Sequence, residues 1–210
     1  MLDRVKALIE KGNTIPKFIA LVIYHVPKIT DQELGLINKA CAVTGHVFRD
    51  DIRHSTKEAY ITHLLAVAVI IVSYLGMRDV NLIIAAILHD LIEDKPYWTY
   101  ESLVQEFNVN VADLVYSVTK LDRQPGESEH NYQLRYFAQV WAGGIRSVIL
   151  KLADRLHNML TLWGPPEKKR AKTLETLQYV LPLAVQYQIL WPELTLACAE
   201  QIRESNRVAI

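Results

Sequence analysis

The chain has 210 residues, 50% of them apolar and 22% charged, which is enough for one sizeable core and too apolar for a disordered segment. Lys plus Arg and Asp plus Glu number 23 each, so nothing draws the chain as a whole to nucleic acid or to an anionic membrane. Its longest apolar run, LLAVAVIIV from Leu64, is too short to span a bilayer.

Taken in order, the segments carry a helical period almost throughout. FIALVIYHV follows Asp3 and Glu10 and precedes no small-residue cleavage site, which argues against a secretory signal and for an intracellular protein. Thr30 and Glu33 have capping-box spacing ahead of LGLINKACAV. A loop near 50–60 leads to His63 and the apolar run at Leu64. Asp79 is a cap for VNLIIAAILHD, and Thr99 with Ser102 precedes LVQEF after a loop at 95–98. Asn110 is placed to start VADLVYSVTK, and a loop covers 121–128. Gly143-Gly144 punctuates the chain before IRSVILKLADRLHNMLTL, as Pro165-Pro166 does before EKKRAKTLETLQYVL, where Pro182 should kink or break the helix. Pro192 suits the first turn of a last helix. Cys41 and Cys198, without CxxC spacing, read as buried free thiols in a reducing cytoplasm. No segment alternates with period two and no repeat is visible. The expectation is a single all-α domain over 1–210 with about ten helices, residues 1–35 forming N-terminal helices.

Polar residues intrude on three of the most apolar helices. LHDLIED follows NLIIAAI without a turn residue, so His89, Asp90, Glu93 and Asp94 form adjacent i,i+4 pairs over one turn. In SVILKLADRLHNMLTL, Lys151, Asp154, Asn158 and Thr161 share one face, while Val148, Leu152, Leu156 and Met159 serve the packing faces. His63 opens the third helix. Each intrusion has a bland account: a satisfied core histidine at His63, a solvated helix end at Asp90 and Asp94, an i,i+3 ion pair between Lys151 and Asp154. Taken together, those accounts leave several ionisable groups among hydrocarbon with nothing to offset desolvation. Convergence of His63, His89, Asp90 and Asp154 on one divalent ion removes that cost. Mixed nitrogen and oxygen ligands suit Mn, Fe, Co, Ni or Zn better than Ca. Glu93 and Asp94, one turn on, are placed to handle a water proton.

The H…HD…D pattern resembles the HD-domain metal-dependent phosphohydrolases. YITHLLAVAVII, AAILHDLIED, VADLVYSVTKL, ILKLADRLHNMLTL and ETLQYVLPLA further resemble, in order over roughly 40–190, the hydrolase domain of the RelA/SpoT homologues. Those proteins cleave alarmones such as (p)ppGpp; a stand-alone small alarmone hydrolase is the nearest type. The resemblance implies an all-α HD fold and His63, His89, Asp90 and Asp154 as ligands, usually of Mn2+, with another first-row divalent metal admitted. It implies Glu93 and Asp94 as the catalytic pair. Lys151, Arg155, Asn158 and Thr161 would surround the nucleotide, Asn158 and Thr161 touching it and Tyr60 forming a wall. The implied reaction removes the 3′-pyrophosphate of the alarmone in a stringent response, in the cytoplasm, without nucleic acid or membrane; homo-oligomer formation is left open.

Departures gather in RHSTKEAYITHL, where His54 and Ser55 fall at the family's Arg-Lys pair and Arg53 lies one step earlier. Ala59 and Leu64 replace prolines, and Leu160 replaces an Arg. These changes admit (p)ppApp beside (p)ppGpp. They also admit a phosphatase of 5′-nucleotides or of the NADPH 2′-phosphate, and a catalytically silent nucleotide-binding module. Lys57, Lys120, Arg123 and Arg146 are expected by default as solvated surface, with the pocket rim as the alternative, and PEKKRAK as a solvated first helical turn rather than a nucleic-acid patch.

Overall fold

The computed structural model describes residues 1–53, 55–120 and 122–208, with side chains as far as Glu204. The all-α expectation holds. Among the described residues the only β-type pairing is an isolated bridge between Ile52 and Ala59, and no helix is long and apolar enough to cross a membrane.

Helices α1 (Leu2–Lys11), α2 (Ile15–His25) and α3 (Asp31–Val47) precede the 48–60 loop. The Thr30–Glu33 capping box closes at the start of α3, Thr30 Oγ1 accepting from Glu33 N at 3.2 Å and Glu33 Oε2 from Thr30 N at 2.9 Å. Next come α4 (Ile61–Val69) and α5 (Val80–Leu88), the two most apolar helices. From Leu64 through Val72 in the first and Leu82 through Leu88 in the second, every residue is buried. A helix apolar all round needs neighbours on all sides. Accordingly α5 packs on α3, on α4 and on α8 (Val109–Val118). The other long central helix, α10 (Gly144–Leu160), crosses α4 and α8 and is flanked by α9 (Glu129–Ala142) and α13 (Trp191–Val208).

Local chemistry sets the ends of these rods. Asp79 Oδ1 accepts from Leu82 N at 3.1 Å, and its other oxygen pairs with Arg146 Nε at 3.1 Å, joining the starts of α5 and α10. The α9–α10 corner requires its two glycines. Gly144 has φ +81, and a Cβ on Gly143 would come within 2.8 Å of Ser117 Cβ. That close approach lets Ser117 donate to Ser147 Oγ at 2.6 Å, which seats α10 on α8. Thr99 and Ser102 form their box ahead of α7 (Tyr100–Glu106). The cap of α8 is Asn108 rather than the expected Asn110: Asn108 Oδ1 accepts from Val111 N at 3.0 Å, so Asn110 falls inside the first turn.

Two helices loosen into π turns, at Ile70–Tyr74 after α4 and at Thr176–Val180 after α11 (Pro166–Glu175). The second lies just ahead of Pro182 in α12 (Leu181–Tyr187), whose missing N–H frees a carbonyl in the preceding turn. The break expected at Pro182 is therefore a widened turn.

Candidate active site

LHDLIED does not run on as one helix. The α5 segment stops at Leu88, His89 and Asp90 form a turn, and α6 (Leu91–Asp94) restarts the chain, with Asp90 at φ −92, ψ −1. Consecutive side chains on a straight helix point apart. The loosened turn lets this pair converge: His89 Nε2 lies 3.3 Å from Asp90 Oδ1. Opposite them stand His63, from the first turn of α4, and Asp154, from the middle of α10. His63 Nε2 is 3.5 Å from Asp90 Oδ2 and 3.4 Å from Asp154 Oδ1; His89 Nε2 is 3.7 Å from the same Asp154 oxygen. Three core rods thus bring two imidazoles and two carboxylates to one point.

The surroundings of each group fix its state. His89 Nδ1 sits 2.8 Å from Ala86 O, a carbonyl that only accepts, so Nδ1 carries a proton and Nε2 is the nitrogen turned to the carboxylates. That Nε2 is buried without a hydrogen-bond partner. His63 Nδ1 lies 2.7 Å from Nδ1 of the buried His157. Burial, with the His63 ring adjacent, holds His157 well below the usual imidazole range. Tyr60 donates to Asp90 Oδ2 at 2.7 Å; burial and the Asp90 charge push its hydroxyl far up, so it stays a neutral donor. Asp154 accepts from Asn158 Nδ2 at 2.5 Å and from Lys151 Nζ at 2.9 Å. Burial acts to raise Asp154, yet Lys151 and the two histidines hold it well below the usual carboxylate range. Asp90 is lowered in the same way against burial, chiefly by His89 and His63. Burial lowers His89, but when no cation is bound Asp90 and Asp154 outweigh it and lift the imidazole to about 9, so a divalent ion would take the place of the Nε2 proton.

An orphaned buried nitrogen aimed at ionised carboxylates is a costly arrangement for a structural cluster and a suitable one for a cation. The ligand atoms of His63, His89 and Asp90 lie within 4.8 Å of one another. Lys151, Asn158 and Tyr60 hold the carboxylates, and Ala86 O and His157 hold the rings, as outer partners do around metal ligands. The donor set fits a first-row divalent ion.

The buried His63, His89 and Asp154, with the half-buried Asp90, form the floor of a cavity of about 790 Å3. Glu93 and Asp94 stand at its open side. Lys120 fixes Glu93 twice, through an ion pair from Nζ and through its backbone N–H to Oε2 at 3.2 Å. Partial loss of solvent, then the Asp90 charge, raise Asp94 above its ordinary range. Asn158 and Thr161 line the cavity wall, and Arg53 reaches both, its Nη2 donating at 3.0 Å to Asn158 Oδ1 and at 3.3 Å to Thr161 Oγ1. The guanidinium also lies 6.0 Å over the Tyr60 ring. Arg155 lines the cavity with its fork already engaged, on Glu175 at 2.5 Å and Thr176 at 3.1 Å. His54 lies outside the described residues.

Arg123 and Arg146 do not line the cavity; they pair with Glu129 and Asp79 at the surface, in keeping with the default expectation for them. Lys57 does not line it either, but stacks 5.3 Å over Trp163, which does. PEKKRAK is not wholly solvated: Lys168 and Lys172 face the cavity, and burial with nearby Arg155 lowers Lys172 to about 8. The sequence reading also passed over His157. Its spacing of three from Asp154 and four from Thr161 put it on the polar stripe, the one signal that could have found it.

A family model described as HD domain matches residues 40–189. The chain is 38% identical over 177 residues to a probable GTP pyrophosphokinase of Mycobacterium leprae, covering 83% of this chain and 22% of that protein. It is 43% identical over 134 residues to the guanosine-3′,5′-bis(diphosphate) 3′-pyrophosphohydrolase of Haemophilus influenzae, covering 62% of this chain and 19% of that one. The chain thus spans about a fifth of the length of these curated relatives. A solved structure, that of a metazoan ortholog of SpoT described as hydrolysing ppGpp, superposes with a TM-score of 0.66 at 19% identity, over 79% of this chain and 95% of its own. With the HD model covering most of its length and the paired His-Asp turn facing a second histidine and a second aspartate, the chain belongs to the HD domain family.

Proposed function

We propose that this protein is a metal-dependent 3′-pyrophosphohydrolase of a purine alarmone, (p)ppGpp or (p)ppApp. One observation carries the reading: the orphaned His89 Nε2 faces His63, Asp90 and Asp154 on the floor of a cavity whose mouth holds Glu93 and Asp94. The likeness to a named 3′-pyrophosphohydrolase supports the substrate class.

His63, His89, Asp90 and Asp154 would hold the ion, with Mn2+ as our assignment. Such an ion supplies a lowered pKa to bound water and positive charge opposite phosphate oxygens. The chain's own groups do the rest. Water adds to the phosphorus on ribose O3′, the P–O3′ bond breaks, and pyrophosphate leaves. The water proton passes to the Glu93–Asp94 pair and returns to O3′, giving the nucleoside 5′-di- or triphosphate. Lys120 keeps Glu93 in one place, so little reorganisation is needed as charge develops. Lys151, Arg155 and Lys172 present positive charge to the phosphates. Asn158 and Thr161 bind the sugar, with Tyr60 and Arg53 walling the base. Activity in a stringent response fits the relatives' names, and a reducing cytoplasm suits the buried free thiols Cys41 and Cys198.

The test is purified protein with Mn2+ against a panel of ppGpp, ppApp, NADPH and simple mononucleotides. Pyrophosphate release from a 3′-pyrophosphate, lost to background in Asp154→Ala, is the expected result. Inorganic phosphate from NADPH or a mononucleotide would replace this reading with the phosphatase. Binding without turnover under any first-row metal would replace it with a silent module.

A further inference from the structure

The two candidate imidazole ligands are anchored differently. His89 Nδ1 meets the carbonyl of Ala86 at 2.8 Å, and a carbonyl can only accept. His63 Nδ1 instead meets another imidazole nitrogen, Nδ1 of His157, at 2.7 Å. The rings lie nearly parallel, 28° apart with centroids separated by 4.9 Å, and both residues are buried. At that distance one nitrogen carries the proton and the other the lone pair. His63 Nε2 points at Asp90 and Asp154, where a cation ligand needs a free lone pair. A neutral His63 ring then has its proton on Nδ1, and His157 must be the acceptor.

The structure assigns His157 as a positioning residue: it accepts the Nδ1 proton of His63 and so fixes the tautomer and ring plane that let His63 Nε2 bind a divalent ion. The role rests on the metal centre of the proposed function but not on any substrate. It also gives α10 two tasks at the site. Asp154 supplies a carboxylate directly, and His157, three residues on, orients the ligand from α4. An oriented acceptor behind a ligating histidine raises the basicity of the ligand nitrogen and removes the freedom of the ring to turn away.

Metal titration of the substrate-free protein separates this role from the catalytic reading. His157→Phe keeps a flat ring in the space but cannot accept, and Mn2+ affinity should fall by about 10- to 100-fold. His157→Asn, whose Oδ1 can stand near the lost Nδ1, should recover most of that affinity. Melting temperatures of all three proteins are read alongside, and a purely structural role would move them without the Asn variant restoring affinity. Zinc-loaded wild type supplies a readout independent of any variant: 15N spectra should show His63 protonated at Nδ1, with scalar coupling across the hydrogen bond to His157 Nδ1. Unchanged Mn2+ affinity in His157→Phe, or a proton on His157 Nδ1 in the zinc form, would overturn the assignment. Wild type that takes up no metal would overturn the metal centre as well. Wild type that binds metal tightly yet releases no pyrophosphate leaves the assignment standing and removes only the substrate reading. Should the Phe variant fail to fold, the zinc-form spectra decide.

Discussion

The two ends of the cavity are built on different principles. At the floor, each candidate ligand comes from a rigid core helix or the turn between two of them. Each is held by a further group: Lys151 and Asn158 on Asp154, Tyr60 on Asp90, Ala86 O on His89 and His157 on His63. At the outer end, Arg53 comes from the 48–60 loop, Trp163 is 52% exposed, and Lys168 and Lys172 project from α11. The loop is held at its ends, by Asp51 to Lys95 at 2.6 Å and by Phe48, which is buried in the core and stacked on Tyr60 at 4.8 Å, while Ile52 is exposed. Chemistry that tolerates little displacement sits on packed helices, and recognition that has to vary sits on loops. Of the departures from the family pattern, those at 54, 55 and 59 fall in the loop segment and follow that division, while Leu64 and Leu160 sit on α4 and α10.

Kinetics can break or sharpen the contrast. The largest effect should come from the acidic pair one turn beyond the floor: Glu93→Gln should lower kcat by about 10²- to 10⁴-fold and leave KM and Mn2+ affinity close to wild type. Arg53→Ala should do the reverse, raising KM for the nucleotide by roughly 10- to 100-fold, as for a lost charged hydrogen bond, with kcat held. If Arg53→Ala lowered kcat as Glu93→Gln does, the two ends would be one functional unit and the division would fail. The smallest effect belongs to a region outside both. Hydrogen bonding to Arg135 lowers Glu127 from 4.5 to about 2. A depressed carboxyl stabilises the fold above its unfolded value, and the gain fades as pH falls through the folded value. Melting-temperature differences between wild type and Glu127→Gln should therefore shrink as pH drops from 4.5 toward 2, while Mn2+ affinity at neutral pH is unchanged. A variant that altered metal uptake would tie this surface to the floor.

Legibility in the sequence followed the same line. Caps are local, so Thr30–Glu33, Asp79 and Thr99–Ser102 could be read from spacing alone, and the structure forms them. The four candidate ligands were legible because ionisable groups in hydrocarbon helices demand a common explanation. Asn108 against Asn110 was a choice between two equal cap formers two residues apart, settled by which turn of α8 reaches the core. The turn at His89–Asp90 contains neither Gly nor Pro, so no breaker announced it; the convergence of side chains at the site accounts for it. The Lys120–Glu93 pair joins residues 27 apart in the chain, and His157 looks like any histidine on an amphipathic helix. The first became visible only when α6 met the end of α8 in space, and the second only when α10 met α4.

Anomalous diffraction from crystals grown with Mn2+ and no nucleotide tests the central claim most directly. One peak per chain is predicted, within bonding distance of His63 Nε2, His89 Nε2 and a carboxylate oxygen of both Asp90 and Asp154, and absent in crystals of Asp154→Asn. A peak elsewhere, or a floor that stays empty while His89 Nε2 bonds to a protein group, would contradict it.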